Sequence, residues 1–374
     1  MLAGPDLVQR SGQSQSVRER LASLTGLRAM AALMVVGTHA AFATGKLSHG
    51  YLGLVAARLE IGVSIFFALS GFLLFRPWVV AAADGAAAPS TRAFAQRRLR
   101  RVMPAYVITV LLAYGVYSFY STGPNPGQSW SGLIRHLTLT QIYTDNYLLT
   151  YLHRGLSQTW SLAVEAAFYA ALPLLAHLLL VMLCGGRWRP ARLLAGLAGL
   201  AAISPLWLIA LNAGDWLPNS AGMWLPAQLA AFAGGMALAV LQVMGVRCPA
   251  VLVMAAAVAL YLLVSAPWAG AVTRTLLYAV IAMLVVAAPT LAVGGPFDRL
   301  LNSRPMVWLG EISYEIFLVH VLVMAVVVGA LGWPLFTGSL AGLYLLTLGA
   351  TVPLAWLLKR LTGARLGAGA ACPR

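Results

Sequence analysis

The chain predicts an all-α, polytopic membrane protein of about ten transmembrane helices. Three observations carry this: scarcity of charge, repeated apolar runs of membrane-spanning length, and an uneven placing of the basic residues. Only 9% of the 374 residues are charged and 60% are apolar, whereas soluble domains average about a quarter charged. The formal net charge of +15 does not argue for nucleic acid in so apolar a chain, because Lys and Arg also gather in the cytoplasmic loops of membrane proteins.

Apolar runs long enough to cross a hydrocarbon core of about 30 Å lie near residues 24–44, 59–76, 102–121, 159–183, 191–212, 224–245, 250–268, 275–293, 306–331 and 339–358. An even number of spans puts both termini on one side. With the amino terminus inside, the outer segments keep only Lys46, Arg58, Arg135, Arg154 and Arg274 of the 25 Lys and Arg. The excess of positive charge therefore sets both termini in the cytoplasm and the chain in the cell (plasma or inner) membrane. Residues 1–23, with Arg10, Arg18 and Arg20, form a polar cytoplasmic segment without a signal-peptide core. Residues 24–358 form the membrane domain, and 359–374 a cytoplasmic tail. Cys184, Cys248 and Cys372 all fall on the reducing side, so no disulfide is expected.

Two connections are long. The inner one, 77–101, opens with VVAAADGAAAPST and closes with AFAQRRLRRV, which reads as a flexible link and a basic interfacial helix. Its Arg97, Arg98, Arg100 and Arg101 suit phosphates by charge and guanidinium geometry, or anchor the chain on anionic lipid. Pro104 is suited to start the next helix. The outer connection, 122–158, begins with the breaker-rich TGPNPGQS and continues with Trp and Tyr suited to an interface, a segment able to shape an outward-facing acceptor site. His49, His136 and His153 fall there and read as solvated side chains; His177 reads as a structural helix residue.

Ionisable side chains inside the bilayer are costly and mark functional sites. His39 lies about 22 Å above the inner end of the first span, His320 about 21 Å above that of the ninth, and Glu165 at a similar height on the fourth. Three groups at one level suggest an imidazole base with a carboxylate that fixes its tautomer, or hydrogen bonds between helices. Attack of an alcohol on an activated acyl group is the natural reaction; a proton-coupled transporter using the buried His and Glu is the alternative. No His, Cys or acidic pair shows metal-ligand spacing.

Five motifs in order resemble the acyltransferase-3 family of integral membrane O-acyltransferases, from residue 24 to about 325. LTGLRAMAALMVVGTHA is similar to its opening Arg, ten residues, His motif and aligns Arg28 and His39. IGVSIFFALSGFLLF matches its SGF helix at Ser70, Gly71 and Phe72. RRLRRVMPAY matches the basic motif at Arg98 and Arg101, and QTWSLAVEAAFYAALPLL the segment with Trp160, Ser161, Leu162, Glu165, Phe168 and Tyr169. LGEISYEIFLVHVLV matches a late helix with Gly310, Ile312, Ser313, Tyr314, Leu318 and His320.

The resemblance implies transfer from acyl-coenzyme A to a hydroxyl of a carbohydrate, envelope polymer or secondary metabolite. It implies His39 as catalytic base, Arg28 in support, and Glu165 orienting the histidine or the acceptor. Arg97, Arg98, Arg101 and Ser70 would meet the donor, and Trp160, Tyr169, Tyr314 and His320 the substrates. Threading the thioester arm from the arginine side predicts a channel lined by small residues, Ser70 and Gly71 among them. The chain departs from many relatives in having Ser64 and Thr25 where they carry acids, Phe317 where Tyr is frequent, and Glu311 and Glu315 in the late helix. At i and i+4 those two glutamates are expected to share a face and repel, unless one is protonated or paired with an Arg.

Overall fold

The computed structural model describes residues 5–119, 123–292, 295–334 and 336–367, with side chains from residue 21 to 363 apart from Ser48. Cys372 and the side chains of Arg10, Arg18 and Arg20 lie outside the described residues. In chain order the α-helices are α1 (Pro5–Ala43), α2 (Gly50–Ala57), α3 (Gly62–Ala83), α4 (Thr91–Phe119), α5 (Trp130–Leu137), α6 (Tyr147–Thr150), α7 (Trp160–Ala176) and α8 (Pro190–Asn212). They continue as α9 (Leu225–Val243), α10 (Ala250–Ser265), α11 (Ala271–Leu291), α12 (Pro296–Leu301), α13 (Arg304–Glu311), α14 (Ser313–Ala330) and α15 (Leu340–Gly367). No strand occurs among the described residues.

Nine helical segments among the described residues are long and apolar enough to cross a membrane. The remaining predicted run, 250–268, forms α10, whose 16 residues rise only about 24 Å, short of a straight crossing. The inner connection is shorter than the sequence suggested: α3 continues through Pro77 to Ala83, and the basic run belongs to one unbroken helix, α4, in which Pro104 is internal. The late helix is broken instead, α13 ending at Glu311 and α14 starting at Ser313. Gly310 lies so close to Thr25 of α1 that a Cβ would collide with its carbonyl, which holds the break against the first span.

Glycines bring α3 and α9 into backbone contact. A Cβ at Gly71 would strike the Phe232 carbonyl and one at Gly235 the Ala68 carbonyl, the small-residue packing that membrane helices use in place of a hydrophobic drive. Gly71 is thereby spent on packing and lines no channel. Beside it Phe67, Phe232 and Phe168 stack with centroids 4.6 and 4.0 Å apart. A second, smaller core gathers Val36 and Ala40 of α1, Ile316 and Met324 of α14, and Leu343 and Ala355 of α15.

The outer connection folds into the bundle. Tyr106 Oη donates to the His136 carbonyl at 2.6 Å, Tyr114 Oη to the Gly127 carbonyl at 2.6 Å, and Trp224 Nε1 to the Ile142 carbonyl at 2.9 Å. Gln158 Nε2 donates to the Leu318 carbonyl at 2.6 Å, so the chain leading into α7 is already at the level of His320.

Candidate functional site

A cavity of about 370 Å³ opens among α1, α3, α4, α7 and α14. Its polar lining is Arg28, Arg98 and Arg101 with Ser70, Ser161, Glu165, Tyr169 and Tyr314. Ser70 Oγ donates to Glu165 Oε1, and Tyr169 lines the same wall of the cavity. Tyr314 Oη donates to the Val102 carbonyl at 2.9 Å, tying α14 to the turn of α4 that carries Arg101.

Among the described residues the ion pairs are Arg58 with Glu60 and Lys359 with Glu311, so none of the three cavity arginines is neutralised by direct pairing. Arg98 Nε is buried without a hydrogen-bond partner. A buried unsatisfied guanidinium donor is costly, and an anionic ligand with several oxygens would satisfy it by charge-assisted bonds. Arg97, three residues short of the next arginine pair, is exposed and outside the cavity.

The lining on α3 runs from Leu74 to Val63, eleven residues and about 16.5 Å of helix. Gly62, at the end of that run, abuts the Ala31 carbonyl and the Val35 side chain. The cavity therefore climbs along α1 from Arg28 toward the turn that holds His39. Eleven residues separate Arg28 and His39, which is about three helical turns, so both project from one face of α1.

His39 and His320 form a pair. Their rings meet edge to face with centroids 5.1 Å apart and planes at 70°, and His320 Nε2 lies 3.4 Å from His39 Nδ1. The carbonyls assign the tautomers. His320 Nδ1 lies 2.8 Å from the Phe317 carbonyl and 3.1 Å from that of Ile316, and His39 Nδ1 lies 2.8 Å from the Val35 carbonyl. Both Nδ1 atoms are thus N–H donors, His320 Nε2 presents its lone pair to His39, and His39 Nε2 keeps a lone pair able to take a proton.

The level predicted for Glu165 is corrected. It stands among the arginines, one story below the histidines, because the outer connection is buried and α7 starts beside Leu318; the seven residues from Gln158 to Glu165 rise about 10 Å. Among the described residues no carboxylate hydrogen-bonds to His39; a second histidine and a backbone carbonyl fix its tautomer. Trp160 packs edge-on against Phe67 at 6.4 Å and does not line the cavity. Glu311 and Glu315 do not share a helix face, since the helix breaks between them; Glu311 pairs at 3.4 Å with Lys359, not with an Arg. Glu315 Oε2 is buried without a partner, in the field of Arg28 and Arg101.

His136 and His153, expected to be solvated, are both fully buried. His153 stacks on Tyr114 at 4.5 Å, and its Nε2 donates to Gln128 Oε1 at 2.7 Å. Burial pushes His136 down to about 4 and His153 to about 3, the latter also repelled by His136. The tyrosines and Gln128 that enclose them were legible as residues, but nothing local shows a polar loop folding inward. Phe66 and Phe317, which close the cavity on the histidine side, are the other residues that sequence reasoning left out of the site.

An acyltransferase domain, the model for the acyltransferase-3 family, matches residues 21–360, slightly beyond the reach of the five motifs. The chain belongs to this family of membrane acyltransferases. It is 32% identical to "Acyltransferase MdmB" of Streptomyces mycarofaciens over 82% of this chain and 79% of that one. It is 26% identical to "Peptidoglycan O-acetyltransferase OatA" of Listeria monocytogenes over 81% of this chain, and spans about half (49%) of that relative's length. No solved structure matches the chain.

Proposed function

We propose that the protein moves an acyl group from acyl-coenzyme A to a hydroxyl of a carbohydrate or a glycosylated polyketide, with His39 as general base. The observation that carries this reading is the axial order along α1: an arginine-lined cavity around Arg28 leads toward His39, whose Nε2 is the free acceptor of a two-histidine chain. Arg98, Arg101 and Arg28 receive the donor's phosphates, and Glu165 with Ser70 and Tyr169 shapes the wall along which the pantetheine arm lies. His39 Nε2 takes the proton of the acceptor hydroxyl as its oxygen bonds the acyl carbon. His320 Nε2, accepting from His39 Nδ1, stabilises the imidazolium, and the proton passes from His39 to the departing thiolate.

In this reading the donor's phosphates bind on the side of the basic α4 terminus, taken as the cytoplasmic face on which acyl-coenzyme A is found. The acceptor then meets His39 from the far side, consistent with the cell-wall acceptor named for the Listeria relative. The test is transfer from radiolabelled acetyl-, propionyl- and isovaleryl-coenzyme A in membranes carrying the wild type or His39→Ala, with a panel of sugar and macrolide acceptors. Label on an acceptor that vanishes in His39→Ala at equal protein level supports the reading. No transfer and no thioester cleavage from any donor overturns acyl-coenzyme A as the donor.

A further inference from the structure

The cavity does not reach the histidines. Its lining ends at Val63, Phe66 and Phe317, and neither His39 nor His320 contributes to it. Phe66 and Phe317 meet edge to face, centroids 6.1 Å apart and planes at 69°, and the Phe317 ring also lies 6.0 Å from the His320 ring. The backbone of Phe317 is part of the same contact, since its carbonyl accepts from His320 Nδ1. Phe66 is only partly buried and packs against both the main core and the smaller α1, α14, α15 core, so it sits at the seam between two packed bodies.

We propose that Phe66 and Phe317 form an aromatic gate between the arginine chamber and the histidine pair, a reading that rests on the proposed acyl transfer. Closed, the pair keeps water from the chamber away from His39. The acyl end of a bound thioester reaches His39 by displacing the two rings along the seam, and the width it opens sets which acyl chains pass. Two rings in edge contact add little beyond their burial, so the arm of a bound donor can part them. Without the gate, water takes the place of the acceptor: its oxygen bonds the acyl carbon, the C–S bond breaks, and the proton that His39 removes passes to the thiolate. The products are a free carboxylic acid and a free thiol.

The experiment measures thiol release from acetyl- and isovaleryl-coenzyme A without acceptor, alongside transfer in the assay above, for full-length wild type, Phe66→Ala, Phe317→Ala and Phe317→Trp. Coenzyme A binding is measured on the same preparations. Expected are a rise of tenfold or more in acceptor-free thiol release for the Ala variants and a larger loss of isovaleryl than of acetyl transfer for Phe317→Trp. Thiol release and transfer are compared at saturating donor, as set by the measured coenzyme A binding, so a change in donor affinity at these cavity-lining positions does not enter the comparison. Phe66→Leu and Phe317→Leu, which keep most of the buried volume, give the same reading if an Ala variant does not fold. The gate is overturned if transfer depends on His39 yet acceptor-free release and acyl preference stay at wild-type levels. A wild type that neither binds coenzyme A nor cleaves any thioester overturns acyl-coenzyme A as the donor instead.

Discussion

His320 Nε2 stands 3.4 Å from His39 Nδ1, and each histidine turns its Nδ1–H toward a carbonyl one helical turn back. The place that a carboxylate takes beside many catalytic imidazoles is held here by a neutral ring, which accepts a proton bond without adding a negative charge to the membrane interior.

His39→Ala should lower transfer by about 10²–10⁴-fold, the range of a positioned acid or base. His320→Gln should lower kcat by a smaller factor, about tenfold or more, and leave the donor KM near wild type, because His320 does not line the arginine cavity. Steady-state kinetics with donor and acceptor varied separately checks both.

Arg98→Ala and Arg101→Ala should raise the donor KM by roughly 10–100-fold, corresponding to about 1.5–3 kcal/mol for a lost charged hydrogen bond. Arg98→Lys should recover only part of this, since an ammonium lacks the guanidinium's forked donors. Arg97→Ala, at an exposed position outside the cavity, is expected to change the KM less than twofold in the same titration.

The outer loop should lose stability as pH falls. His136 and His153 titrate near 4 and 3 in the folded chain and about 6.5 when unfolded. Below pH 6.5 the unfolded state binds protons that the folded state refuses, so stability decreases from there down to about pH 4 for the His136 contribution and about pH 3 for that of His153, and is fully retained above 6.5. Thermal melts of detergent-solubilised protein between pH 4 and 7.5 should show this slope, reduced in His153→Asn. A melting temperature independent of pH over that range would contradict it.

Gly71→Ala and Gly235→Ala should each destabilise the fold by about 1–3 kcal/mol or more, the cost of overpacking, since the added methyl meets a backbone carbonyl that no rotamer change can move. Gly349→Ala, where a Cβ meets nothing within 4 Å, serves as the control in the same melts.

Much of the site was legible before any packing was known. Arg28 and His39 share a face because eleven residues close three turns, and a helix carries that relation wherever it goes. The clustered guanidinium charge of Arg98 and Arg101 and the isolation of His39 in an apolar run are likewise properties of local sequence. The partner of Glu165 was not legible, because its height depends on where α7 begins, and that is decided by Gln158 bonding to Leu318, 160 residues away. Nor was the burial of His136 and His153, which rests on Tyr106 and Tyr114 drawing a polar loop inward.

By itself the sequence determined that this chain is a bundle of apolar helices, which residues are charged inside it, and which of them share a helix face, since backbone periodicity and the cost of charge in lipid act within a single segment. Only the tertiary structure decided that Glu165 joins the arginines and His320 joins His39, and that Phe66 and Phe317 stand between those groups. Axial offsets between helices arise from contacts such as Gly62 on Ala31 and Gly310 on Thr25, where backbones distant in sequence touch, and no periodicity within one helix encodes the height of its neighbour.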